Sequence, residues 1–372
     1  MAGIYIHIPF CKQKCHYCNF FSQASTKHKQ AFILALLTEI ELQKDYLNGE
    51  EIKTIYLGGG TPSLLSDKEI KLIFKKISNF FEISTAVEIT LEANPDDLNK
   101  EYLSKLKGTK VNRLSIGIQS FHDDDLQYLN RAHRGQQALN SIQEARLVFE
   151  NLSIDLIYGI PTLNHKKWIE NLNTVYQLNI PHVSAYALTV EPKTALAFFI
   201  KKGKYATVKD QSVIDHFHIL CDVMESYDYE HYEISNFSKK KYHSLHNTSY
   251  WSGSKYLGLG PSAHSFNGVS RQWNIANISQ YIESLQHQNI PFTREILSKQ
   301  QKYNEYVMTS LRTIRGTDAN YILQEFGNDL YDHFLKEVAV FLNDKKINRA
   351  VSTFTLTREG KLFADRITAS LF

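Results

Sequence analysis

The sequence predicts an α/β protein: an open, partial (β/α)6 barrel followed by a smaller, mainly helical, winged-helix-like C-terminal domain. Three observations carry this. Six short apolar runs alternate with helical patterns over the first 200 or so residues, an alternation that gives parallel strands with helices outside. The ends of the strands carry cysteines, glycines, carboxylates or amides, and functional groups gather at the carboxyl ends of strands in barrel-type folds. The composition then shifts at about Phe292–Tyr303, and the last ~70 residues read as short helices with an amphipathic tail.

The elements follow in order. Ile4–Ile8 is the first strand and leads directly into Cys11. His28–Leu47 is a helix with Ile33, Leu36, Leu37 and Ile40 on one face. Thr54–Leu57 is a strand ending in Gly58-Gly59-Gly60-Thr61-Pro62, and Ser66 with Glu69 makes a capping box for the next helix. Glu88–Leu91, Arg113–Ile118, Leu152–Ile157 and His182–Leu188 are the remaining strands, with helices through Leu106, over Gln136–Phe149 and over His165–Leu178. Lys209–Tyr227 is an amphipathic helix whose Val213, Phe217, Leu220, Cys221 and Met224 share a face, so Cys221 reads as a core thiol. The expected division is a barrel over 1–200, an extension over 201–290 flanking the barrel mouth, and the C-terminal domain over 291–372.

Composition bounds the function. Of 372 residues 43% are hydrophobic, enough for a real core, and a net charge of +3 gives no argument for nucleic acid or a membrane surface as partner. Four cysteines, three of them within Cys11–Cys18, give no disulfide framework and point to the reducing cytoplasm. No charged leader precedes Ile4, and no apolar run approaches the ~20 residues of a membrane span.

The chemistry centres on Cys11, Cys15 and Cys18, a C-x3-C-x2-C spacing able to wrap three corners of an iron–sulfur cube. Position 20, where another cysteine would be looked for, is Phe20, so one iron would be left open. Zinc with His16 as a further ligand, or buried free thiols, are the competing readings of the cysteines alone. Gly59 and Gly60 let backbone approach a small zwitterion; Glu92 or Asp155 suits hydroxyls or an amine; Gln119 suits a ribose; Arg131 suits a carboxylate; Tyr17 offers a face for a flat ring. Each of these also has an ordinary structural reading as turn, core or surface residue.

As a set the motifs are specific. Tyr5-Ile6-His7-Ile8-Pro9-Phe10-Cys11, Gly58–Pro62, Arg113–Phe121 and Asp155–Pro161 occur in an order that resembles the oxygen-independent coproporphyrinogen III oxidase family of radical S-adenosylmethionine (SAM) proteins, over nearly the whole chain. The resemblance implies a [4Fe–4S] cluster on Cys11, Cys15 and Cys18, and SAM contacts from Tyr5, Tyr17, Gly59, Gly60, Thr61, Glu92, Gln119, Arg131, Asp155 and Ala187. It also implies an electron donor for the cluster. Two departures count against the oxidase reaction: Phe20 replaces the further cysteine of the true oxidases, and only three residues precede Ile4 where they carry a long extension. His246-Asn247-Thr248-Ser249-Tyr250-Trp251 instead resembles the H-N-x-x-Y-W motif of the family's heme-chaperone branch. That branch implies heme held by His246, Asn247, Tyr250 and Trp251, and its transfer to acceptor hemoproteins such as membrane respiratory subunits, with transient contact at the inner membrane face. An imidazole can ligate heme iron, and Tyr250 and Trp251 offer flat apolar surface on what is expected to be an accessible segment. Lys239, Lys240 and Lys241 are candidates for the propionates. The alternative is an enzyme, either the oxidative decarboxylation itself or another radical SAM reaction on a tetrapyrrole. The residues leave a catalytic group unassigned and a homodimer open.

Overall fold

Ile4, Ile6 and Ile8 are fully buried, and the strand that carries them, β1 (Ala2–Ile8), lies in the interior of a large sheet. The computed structural model describes residues 2–372. β2 (Ile52–Gly59), β3 (Ile83–Ala93), β4 (Arg113–Gln119), β5 (Asn151–Tyr158) and β6 (His182–Ala187) follow β1 side by side in chain order, every pair parallel. Helices Lys29–Leu42, Asp67–Phe80, Lys100–Lys107, Gly135–Arg146 and His165–Gln177 connect them. Parallel neighbours demand such crossovers. The capping box is present: Ser66 accepts from the Glu69 N–H while the Glu69 carboxylate accepts from the Ser66 N–H. The helix Asp210–Ser226 buries Phe217, Leu220, Met224 and the free thiol Cys221.

The sheet continues past the six strands on both sides, to twelve in all. β7 (Glu230–His231) and β8 (Asn236–Ser238) add antiparallel beyond β6. β9 (Lys255–Leu259) pairs parallel with β1, Ala2 opposite Lys255, and β10 (His264–Phe266), β11 (Ser270–Asn274) and β12 (Phe292–Ile296) continue antiparallel from it. The sheet stays open, with β12 at one edge and β7 at the other. Gly258 is obligatory in β9, because a Cβ there would lie 2.0 Å from the His264 carbonyl oxygen.

One buried carboxylate holds this extension to the barrel. Glu39, on the first helix, is fully buried and accepts from the Gly260 N–H at 2.7 Å, the Asn274 amide and the Tyr281 hydroxyl. Burial pushes its carboxyl up, and the three donors pull it back. Glu39→Ala would strand three buried donors at once, so it is expected to cost about 3 kcal/mol or more of unfolding free energy. The midpoint of urea denaturation measures this; an unchanged midpoint would show that the junction adds nothing.

The C-terminal region has its own core, built from Tyr303, Val307, Ile322, Phe334, Phe354 and Ile367 among others. Its helices are Lys299–Leu311, Ala319–Asn343, Arg358–Lys361 and Ala364–Ser370, the second kinked at Gly327, whose φ is 78°. A small sheet completes it: β13 (Thr317–Asp318) beside β15 (Thr353–Leu356), which forms a hairpin with β14 (Ile347–Ala350). Helices and hairpin together give the winged-helix form expected from the sequence, the hairpin being the wing. Among the described residues no helix is long and apolar enough to cross a membrane.

Candidate functional site

The loop after β1 is pinned at several backbone points. The Cys11 N–H donates to Gln23 O at 2.9 Å, the His16 N–H to Leu129 O at 3.1 Å, and the His16 carbonyl accepts from the Leu196 N–H at 2.8 Å. Cys11, Cys15 and Cys18 are half-buried free thiols on the wall of one cavity of ≈ 510 Å³. His16 faces elsewhere: its ring packs edge-on against Phe199 and Tyr205, and Nδ1 reaches Tyr128 O at 3.4 Å. No three His, Cys, Asp or Glu side chains among the described residues converge tightly enough for a single metal ion. Three free thiols on the wall of one cavity are a donor set that fits three corners of an iron–sulfur cluster. Phe20 stands 64% exposed on the same rim.

The strand ends complete the cavity. Glu92, at the end of β3, accepts from the Tyr56 hydroxyl at 2.8 Å and the Gly59 N–H at 3.1 Å. Burial, aided by the charge of Asp155, pushes the Glu92 carboxyl up to about 7 against those two donors. Asp155, on β5, accepts from Ser115 at 3.3 Å, and burial pushes it to about 6. Gln119 ends β4 at φ 69°, just past a bulge between Gly117 and Gln119 that turns it toward the cavity. Arg131 donates to Cys15 Sγ at 3.3 Å and to Asn94 Oδ1 and Gly117 O, both at 2.7 Å. A Cβ at Gly117 would lie 3.2 Å from that guanidinium. The cavity is thus cationic beside the cysteines and carboxylate-lined opposite, a fit for a small zwitterion carrying hydroxyls.

Of the residues expected to contact SAM, Tyr17, Gly59, Gly60, Thr61, Glu92, Gln119, Arg131, Asp155 and Ala187 line this cavity. Tyr5 does not; it lies below, its ring stacked on Tyr56 and its hydroxyl 3.2 Å from His7 Nδ1. The glycines serve packing more directly than ligand approach. A Cβ on Gly60 would sit 2.6 Å from Phe10 O and 2.8 Å from Ile8 O, and one on Gly59 would strike the His7 ring at 2.5 Å. A side chain at Gly60 would therefore displace the chain entering Cys11. Sequence reasoning missed Asn94, Ser115 and Tyr186, which also line the cavity. Strand alternation offers a signal for two of them: Asn94 stands two residues past Glu92, and Ser115 alternates with Gly117.

His246-Asn247-Thr248-Ser249-Tyr250-Trp251 lies in the short helix Leu245–Trp251, capped by Ser244 and by Glu88, which accepts from the Leu245 and His246 N–H groups at 3.1 and 3.0 Å. The accessible segment expected from the sequence is only half realised. His246 is 1% exposed, with Nδ1 2.8 Å from Thr54 Oγ1, Nε2 3.0 Å from the Tyr250 hydroxyl, and its ring stacked on Tyr56 at 4.9 Å. Tyr250 and Trp251 face a second cavity of ≈ 860 Å³, bounded on its other side by the C-terminal region. Asn247 is half-buried, its N–H bonded to Ser244. The lysine run is not on this cavity: Lys239 donates to Tyr227 O and lies 4.4 Å from the Tyr229 ring.

The radical SAM superfamily profile matches residues 5–175. The solved coproporphyrinogen III oxidase (HemN) of Escherichia coli, described as a radical SAM enzyme, superposes with a TM-score of 0.85 over 100% of this chain and 89% of its own, at 23% identity, which establishes the shared fold. Heme chaperone HemW of Mycobacterium tuberculosis is 31% identical, covering 99% of this chain and 94% of its own. Heme chaperone HemW of Bacillus subtilis is 34% identical over 374 residues, 99% of this chain and 98% of its own. The cofactor class of this fold is SAM with a [4Fe–4S] cluster, and the chain belongs to the HemW family of radical SAM proteins.

Proposed function

We propose that the chain is a heme chaperone: it binds heme at His246–Trp251 and passes it to acceptor hemoproteins, membrane respiratory subunits among them. The observation that carries this reading is the pair Tyr250 and Trp251, which open onto a large aromatic cavity separate from the cysteine-lined one. Cargo and SAM then occupy different places, as a carrier requires. Cys11, Cys15 and Cys18 would hold the cluster, and when bound it supplies an open iron for the amino and carboxylate groups of SAM. Arg131 orients the SAM carboxylate, Glu92 and Asp155 take its amine or hydroxyls, and Gln119, Thr61, Tyr17, Ala187 and the Gly59–Gly60 backbone shape the rest, with Tyr5 supporting Tyr56 from below. An electron donor would serve the cluster as a partner. The protein works in the cytoplasm and meets the inner membrane face at delivery.

His246 stands one hydrogen bond behind the cavity wall, so iron ligation requires the Tyr250 hydroxyl to release Nε2. Burial, with the charge of Arg113, lowers the imidazole to about 3 and keeps it neutral, the state that ligates metal. The double variant His246→Ala/Trp251→Ala is expected to lose at least tenfold in heme affinity while keeping iron content and SAM binding. Heme titration at the Soret band, with iron measured on the same sample, tests this; wild-type affinity in the variant would make the motif structural. A second reading, oxidative decarboxylation of coproporphyrinogen III, draws on the shared barrel. Formation of protoporphyrinogen at useful turnover by the reduced, SAM-loaded protein would replace the chaperone reading.

A further inference from the structure

A heme is a rigid apolar disc with two propionates on one edge. Flat apolar walls, aromatic ones among them, and cations within reach of the carboxylates suit such a ligand. One wall of the ≈ 860 Å³ cavity is Tyr250, Trp251 and Tyr256. The other comes from the C-terminal region, where Tyr306, Tyr321 and Phe326 form a continuous aromatic face: the Tyr306 and Tyr321 rings are 4.4 Å apart, and Phe326 lies 6.1 and 6.0 Å from them. The volume is within the ~300–1,000 Å³ of ligand sites.

The charges separate into those already engaged and those not. Arg271 is paired with Glu305 at 2.9 Å. Glu233 is held by the Asn236 amide and the Ser235 N–H. Glu325 is exposed at the rim. Lys302 and Arg315 also line the cavity, and among the described residues neither side chain has a hydrogen-bond or ion-pair partner. Half-buried Lys302 and exposed Arg315 line an aromatic slot without forming an ion pair to Glu233, Glu305 or Glu325 on the same lining, which leaves both cations open to a ligand that brings its own anions.

We infer that the C-terminal region forms half of the cargo site, with Tyr306, Tyr321 and Phe326 as the second wall of an aromatic sandwich around a planar tetrapyrrole dicarboxylate and with Lys302 and Arg315 receiving its carboxylates. This rests on the chaperone reading, and gives the C-terminal region a part in binding that the motif alone does not require. It also replaces Lys239–Lys241 as the propionate partners.

The test compares hemin with hemin dimethyl ester, which keeps the disc and loses both charges. The reconstituted full-length protein is titrated with each, followed at the Soret band. Wild type is expected to prefer hemin by about tenfold or more, the scale of one or two charge-assisted contacts. Lys302→Glu/Arg315→Glu is expected to abolish that preference, with iron content and SAM binding unchanged. Lys302→Gln/Arg315→Gln is prepared beside it, so that a folding failure of the first leaves the second to decide. If wild type binds hemin and the variants keep the full preference, the inference is overturned while the chaperone reading stands. If wild type binds neither compound, the chaperone reading falls and the inference with it.

Discussion

Anaerobic reconstitution of Cys15→Ala is expected to return essentially no iron, against about four irons per chain for a full cubane on the wild type. Cys15 is the middle of three thiols on one cavity wall and is also the sulfur that Arg131 touches at 3.3 Å. On the proposed assignment its loss removes a corner ligand, and it leaves a guanidinium N–H of Arg131 without its acceptor. Cys221→Ala is the control, because Cys221 lies on the buried face of the helix Asp210–Ser226 and lines neither cavity. A full cluster in Cys15→Ala, or a lost cluster in a folded Cys221→Ala, would break the assignment.

The second large effect belongs to Glu92. Glu92→Gln is expected to weaken SAM binding by about ten- to a hundredfold, the scale of a hydrogen bond to a charged group. The pH dependence has a definite sign. Burial lifts the ligand-free carboxyl from 4.5 to about 7, so below that pH it is neutral; the cationic ligand favours the ionised form, and affinity should climb from pH 6 to pH 8. Asp155, lifted to about 6, adds to the lower part of that rise. Stability of the empty protein runs the other way. A carboxyl raised in the folded state withdraws stability as pH increases from 4.5 to about 7. Glu92→Gln should therefore melt higher than wild type at pH 8 without SAM, while binding SAM worse. Calorimetry of both proteins at pH 6 and pH 8 checks the pair of effects; a flat pH profile in the wild type would remove Glu92 from the ligand's charge.

The parts read correctly from the sequence are the local ones. Each barrel strand announces itself by an apolar run, and the observed ends differ from the expected ones by a few residues, most at β3, where Ile83–Ala93 starts well before Glu88. The capping box and the buried face with Cys221 likewise depend on neighbours three or four positions away. The strands of the extension did not announce themselves, because β7, β8 and β10 are two or three residues long and β9 is interrupted by Gly258. The two tight polar junctions were illegible for a different reason. Glu39 meets Tyr281 across 242 residues and Thr54 meets His246 across 192. A histidine whose partners lie that far away reads as exposed in a polar stretch, and only the fold shows it to be interior. The same distance hid the aromatic face of the C-terminal region, since Tyr306 and Tyr321 look like ordinary surface residues until the wall opposite them is seen.

The pairing of β1 with β9 has a consequence for how the chain is made. A ribosome adds roughly 5–20 residues per second, so Ala2–Ile8 is finished on the order of ten seconds or more before Lys255–Leu259 exists to lie beside it. During that interval β2 to β6 can assemble on one side of β1, while its other side offers a row of unmet N–H and C=O groups. The nascent barrel thus carries an adhesive flank next to the loop of three thiols until two-thirds of the protein has emerged. Folding of this chain should be sensitive to what shields that flank: a trigger-type chaperone at the exit tunnel, or a pause in translation placed after β9 rather than before it, would decide how much of the protein reaches its cofactors intact.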